Sequence, residues 1–232
     1  MNQGYDYQSF GVSRESLASY TAKTFGWMFL GLFVTFAASI AMYWTGAYYY
    51  VLATFNGLLP IVLGVAEIAV VLYLSARLHK LSITAARGLF FLYALLNAVT
   101  FSSIFLLYNV SSLVFVFGIT SVYFGVMALY GYMTKADLSR IRPVLLFGLI
   151  ALLVLSLLSL FIPGMDIGIC LIGMVVFVAF TAYDTQKIRH NYVYFQGNPE
   201  LLQKASIISA LQLYLDFINL FLYLLRLFSR RD

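Results

Sequence analysis

Seven long apolar runs separated by short polar connections dominate this chain, and they restrict what it can fold into more than any other feature. They lie at about Phe25–Tyr43, Leu58–Arg77, Ala85–Tyr108, Leu113–Met133, Val144–Phe161, Ile167–Thr185 and Ile207–Phe228. Each is close to the roughly 20 residues with which a helix crosses the hydrocarbon of a bilayer. Composition agrees: 62% of residues are apolar and 10% charged, whereas soluble domains carry about 45–50% and 25%. The chain is therefore read as an all-α integral membrane protein. After a polar tail over residues 1–22, residues 23–232 have room for one seven-helix domain and no soluble one. The tail lacks the basic start, apolar core and cleavage site of a signal peptide. The single cysteine, Cys170, excludes an internal disulfide framework.

The last run is the unusual one. Gln212, Asp216, Asn219 and Tyr223 are spaced by four, three and four residues, which puts them on one helix face with Ser209 just behind. A carboxylate turned to lipid costs at least about 2.5–3.5 kcal/mol, so this face is expected to turn toward protein or water. That places the last helix in the centre, wrapped by the others.

The loops carry the orientation. Arg77, His79, Lys80 and Arg87 join the second and third runs, Lys135, Arg140 and Arg142 the fourth and fifth, and Lys187, Arg189 and Lys204 the sixth and seventh. The alternate loops, around Thr45–Asn56, Tyr108–Ser112 and Pro163–Asp166, contain neither Lys nor Arg. Basic loops favour the cytoplasm, so the N-terminus is expected inside and, after seven crossings, the C-terminus outside. Arg226, Arg230 and Arg231 oppose that last step, and a re-entrant final segment is the alternative. With the basic residues in loops, the pI near 9.2 points to anionic lipid and not to nucleic acid.

Three acidic residues fall inside the runs, Glu67, Asp184 and Asp216. An ionisable group in a membrane is a candidate functional site. Glu67 either bonds a neighbouring helix or lines a cavity. Counted from Ile207 at about 1.5 Å per residue, Asp216 lies about 13 Å into its span while Asp184 sits near the end of the sixth, a difference of about two helical turns. The spacing alone does not bring them together. If they meet, two carboxylates in a poorly solvated site cannot both ionise easily and hold one proton between them, which makes the pair a pH sensor. Loss of that proton creates a doubly negative oxygen site of the kind Ca²⁺ prefers, with Asp184 and Asp216 as transient calcium ligands. A basic side chain is then able to latch the closed form, and Arg77 and His79 are the candidates. The plainer alternative is that Asp216, Gln212 and Asn219 are polar glue between helices.

Thr181-Ala182-Tyr183-Asp184-Thr185-Gln186, followed by Leu213-Tyr214-Leu215-Asp216-Phe217-Ile218-Asn219-Leu220-Phe221, resembles the paired signature of the Bax inhibitor-1 (transmembrane BAX inhibitor motif) family, bacterial branch. The likeness extends to Tyr130–Ser139. It implies two layers of three helices around a central C-terminal helix, and a pH-dependent calcium leak in which Asp184 and Asp216 match the family's sensing pair. Where bacterial relatives place a latching Arg, this chain has Leu78, flanked by Arg77 and His79. Phosphate loops, metal-ligand Cys or His pairs and Ser-His-Asp sets are not found in the sequence, so no enzyme and no cofactor is expected. His79 and His190 read as interfacial residues. Two functions follow from the resemblance. One is a calcium-permeable leak whose partners are lipid, calcium ions and protons. The other is a non-conducting stress or quality-control protein that modulates membrane proteases or other membrane proteins, with the N-terminal tail as its recognition segment.

Overall fold

The computed structural model describes residues 15–55, 57–77, 80–159, 161–162 and 164–228. Seven of its helices are long and apolar enough to cross a membrane. They are α1 (Leu17–Thr45), α3 (Leu59–Arg77), α4 (Ile83–Leu107), α5 (Val110–Met133), α6 (Arg142–Leu158, which reaches that length as Leu138–Leu158 with the turn before it), α7 (Asp166–Phe195) and α8 (Pro199–Phe228). A short α2 (Ala47–Thr54) follows α1, and one 3₁₀ turn (Leu138–Ile141) leads into α6. The expected tail meets helix earlier than its composition indicates. Ser16 caps α1 by accepting the Ser19 N–H at 3.1 Å, so helix begins at Leu17 and takes in buried Tyr20. Residues 1–14, the rest of the tail read as a recognition segment, lie outside the described residues, as do His79 and Arg230 and Arg231 of the basic tip.

Both α7 and α8 also run past their apolar spans. Asn198 accepts the Leu201 N–H at 3.1 Å and Pro199 follows it, a cap and first-turn proline that start α8 eight residues ahead of Ile207. From there α8 is one unbroken helix of 30 residues. It is also the centre of the bundle: 67% of its apolar window is buried, against 11–44% in the other six. Its neighbours are α1, α4, α5 and α7; α3 packs on α4 and α6 on α7. The network divides into α1–α4–α3 and α5–α7–α6, two three-helix layers with α8 between them.

Aromatic rings fill one stretch of this interior. Phe36 of α1 meets Phe101 of α4 and Phe117 of α5 edge-on, each at 5.4 Å, and Phe221 of α8 stacks on Phe101 at 5.8 Å. Elsewhere the helices approach through missing side chains. A Cβ on Gly131 of α5 would lie 2.9 Å from the Ala182 carbonyl carbon of α7, and closer still to its oxygen. Backbone cannot yield as a flexible side chain does, so Gly131→Ala must push α5 off α7. The expected cost is about 1–3 kcal/mol or more, seen as a lower thermal-unfolding midpoint of the detergent-purified protein than for Gly125→Ala, where the space is open.

Candidate functional site

The polar stripe on α8 faces a cleft of about 400 Å³. Its apolar walls come from Val71 on α3 and Leu146, Leu149, Leu152 and Leu153 on α6. Its floor is Asp184 of α7 with Gln212, Asp216, Asn219 and Tyr223 of α8. The striped face therefore turns inward, as the cost of exposing a carboxylate to lipid requires. Asp184 and Asp216 are 6% and 3% exposed.

The register of α7 against α8 resolves the depth difference expected from the spans. Asn191 donates to the Ser209 hydroxyl at 3.0 Å, and Lys187 Nζ donates to Gln212 Oε1 at 3.2 Å. Each step of three or four residues back along α7 is matched by three or four forward along α8, as antiparallel helices demand. One more such step leads from those rungs to Asp184 on α7 and Asp216 on α8, both of which line the cleft. The two carboxylates are near enough that the charge on Asp184 bears on Asp216. The expected two-turn mismatch comes from starting α8 at Ile207 when the hairpin turns near residues 196–198.

Of the other expected residues, Asn219 returns its amide to the Leu215 carbonyl at 2.8 Å within its own helix. Glu67 is elsewhere: it accepts the Thr100 hydroxyl at 3.2 Å, joining α3 to α4, and does not line the cleft. Arg77 is exposed, with its guanidinium 5.9 Å from the Tyr73 ring centroid. The cation that faces Asp184 is instead Lys187, whose Nζ lies 3.9 Å from Asp184 Oδ1. Arg142, which opens α6, adds its charge to the same carboxylate. Lys187 sits one turn from Asp184 on the same helix, and that i,i+3 spacing was the available signal. Asp184 Oδ1 and Asp216 Oδ2 are buried and have no hydrogen-bond partner among the described residues. No group of three His, Cys, Asp or Glu side chains gathers around a point among the described residues.

Outside the spans, Gln186 holds the connection that follows α5. Its Oε1 accepts the Leu138 N–H at 2.9 Å and its Nε2 donates to the Ala136 carbonyl at 2.7 Å. Arg189 adds a bond to the Thr134 carbonyl at 3.1 Å. Asp137 caps the 3₁₀ turn. Hydrogen bonds from Ser139, ahead of the charges of Arg140 and His190, hold its carboxyl below the ordinary carboxylate range. A carboxyl so depressed supports its turn above the ordinary value near pH 4 and gives that support up only as pH falls below it. Asp137→Asn is accordingly expected to leave unchanged any pH dependence measured between pH 5 and 8, a control for the variants below.

Fold and site together define a class: an all-α membrane protein with seven membrane-length helices, whose buried last helix and its antiparallel neighbour each place a buried carboxylate on one cleft. The family model described as "Inhibitor of apoptosis-promoting Bax1" matches residues 17–232, and the chain belongs to this Bax inhibitor-1 family. Among its relatives, the inner membrane protein YbhL of Escherichia coli (strain K12) is 40% identical over 222 residues, covering 94% of each chain. An uncharacterized protein of Rickettsia prowazekii is 38% identical over 221 residues, 94% of this chain and 92% of its own. One of Borreliella burgdorferi is 37% identical over 216 residues, 91% of this chain and 92% of its own.

Proposed function

We propose that this chain is a calcium-permeable leak whose conduction depends on a proton shared between Asp184 and Asp216, and that it transforms no substrate and needs no cofactor. The supporting observation is that two buried carboxylates from neighbouring spans line one cleft, each with an oxygen free of any hydrogen bond among the described residues. With a proton between them the rung is an attractive contact that draws α7 onto α8. As pH rises the proton leaves, the contact becomes a repulsion, and the oxygens become hard ligands for a passing divalent cation. Two carboxylates and one or two amide oxygens reach the 6–8 ligands of calcium only if both carboxylates bind through two oxygens or water completes the shell, which suits transit over storage.

The same reading places the protein in the inner membrane of a bacterial cell, by its likeness to YbhL. The N-terminus is cytoplasmic and the C-terminus outside, by the distribution of Lys and Arg among the loops.

The test is Ca²⁺ flux from proteoliposomes of the purified full chain across a pH series from 5 to 8. Flux is expected to climb with pH in the wild type. Wild-type flux and pH response in both Asp184→Asn and Asp216→Asn reject the reading. Flux equal to that of protein-free liposomes at every pH favours the non-conducting quality-control protein.

A further inference from the structure

Lys187 has a geometry that the proton-sharing reading leaves unused. Its ammonium sits 3.2 Å from Gln212 Oε1 and 3.9 Å from Asp184 Oδ1, and its charge reaches Asp216 as well. All three oxygen-bearing side chains line the cleft, and both carboxylates are more than nine-tenths buried. The ammonium thus stands beside the oxygens that a hard metal cation would take, bonded to Gln212 and within 4 Å of Asp184. Two other groups stand near it. Arg142 acts on Asp184 from the start of α6, and the Tyr183 ring lies 5.9 Å from Nζ, beside the ammonium on the same helix.

We propose that Lys187 is a tethered competitor for the divalent cation: its ammonium occupies the oxygen site made by Asp184, Asp216 and Gln212, and a divalent ion enters only by displacing it. The oxygen set with Lys187 in place carries one net negative charge when both carboxylates are ionised, and two without it. A divalent ion is matched by the second state. Lys187 can vacate because it is about a third exposed and hangs on a flexible four-carbon stem, whereas the carboxylates are fixed on packed helices. This device keeps a site of two buried carboxylates from holding calcium permanently, and it makes Lys187 the residue that sets how tightly the ion pauses.

The inference rests on the proposed leak, and its test is chosen to fail separately. Ca²⁺ binding to the detergent-purified full chain is measured by isothermal titration at pH 7.5, with thermal unfolding recorded to show that each variant is folded. Lys187→Met and Lys187→Gln remove the charge, the second keeping a hydrogen-bonding group beside Gln212. Both are expected to bind Ca²⁺ at least about tenfold more tightly than the wild type, as removal of a like charge within about 4 Å demands. Lys187→Arg is expected to stay near wild type, and adding Asp216→Asn to Lys187→Met to abolish the gain. Unchanged, weaker or undetectable binding in both neutral variants overturns the proposal. If binding tightens while flux ignores both aspartates, the leak reading fails and the tethered-cation site stands; if flux follows the aspartates and binding does not tighten, the reverse holds.

Discussion

Proteoliposomes carrying Asp216→Asn are expected to leak Ca²⁺ at one low rate from pH 5 to 8, where the wild type rises with pH. The sign follows from what an amide does in that position. The substituted side chain has no proton to lose, and its amide donates a hydrogen bond to Asp184 much as the shared proton does, so the rung stays attractive at every pH. Asp184 meanwhile keeps Lys187 at 3.9 Å and, with an amide in place of the second carboxylate, has no like charge to repel. At pH 8 the expected deficit against wild type is on the order of tenfold, the usual scale of one coupling between two states of a protein. Asp184→Asn is expected to flatten the curve in the same way. It differs in one respect, since it also takes away the carboxylate that Lys187 faces at 3.9 Å. A flux curve that keeps its wild-type climb in both variants leaves the pair as polar glue.

How much of this was legible in the residues depends on which kind of signal carried it. The stripe Gln212, Asp216, Asn219 and Tyr223 forms the floor of the cleft because a period of 3.6 residues and the cost of a charge in lipid leave it one place to go. The same reasoning misplaces Asp184 against Asp216. Hydropathy marks where a helix meets lipid, and α7 and α8 continue as helix through polar residues such as Lys187, Arg189, Glu200 and Lys204. Their ends are set by capping, and Asn198-Pro199 was the readable sign. Ser16 was the equivalent sign for α1. The close approach at Gly131 was not legible, because its position in the motif does not reveal that the Ala182 backbone lies against it. The second span offers Arg77 as a cation for Asp184, yet the structure puts Lys187, one turn along α7, in that role.

Tyr214→Ala is expected to be the most damaging single change to the bundle outside the acidic pair, costing about 2–4 kcal/mol. The side chain is fully buried at the centre of α8, edge-on to Phe90 at 6.2 Å and Tyr93 at 5.8 Å, with its hydroxyl 2.7 Å from Thr35 Oγ1. The single proton of Thr35 is shared between the Gly31 carbonyl of its own turn and the Ala94 carbonyl of α4, which leaves the Tyr214 hydroxyl to donate to Thr35, so one hydroxyl pair ties α1, α4 and α8 together. Truncation to alanine removes both a hydrogen bond and a ring. In lipid a buried hydrogen bond between helices averages about 0.6 kcal/mol and reaches about 1.7, because the separated helices find other partners. Losing the ring costs more. Gly31 of α1 packs directly on Phe90 and Tyr214, and a cavity left there cannot be closed without moving α1 against α8. Tyr214→Phe should therefore cost no more than about 1.7 kcal/mol, and Thr35→Val more than Tyr214→Phe, since it also removes the bond to the Ala94 carbonyl. The two together should cost less than their sum, since each removes the same bond. Unfolding in mixed micelles, followed for all four variants, separates hydroxyl from ring: a Tyr214→Phe loss as large as that of Tyr214→Ala would put the hydroxyl network, and not the packing of rings around α8, at the root of the bundle's stability.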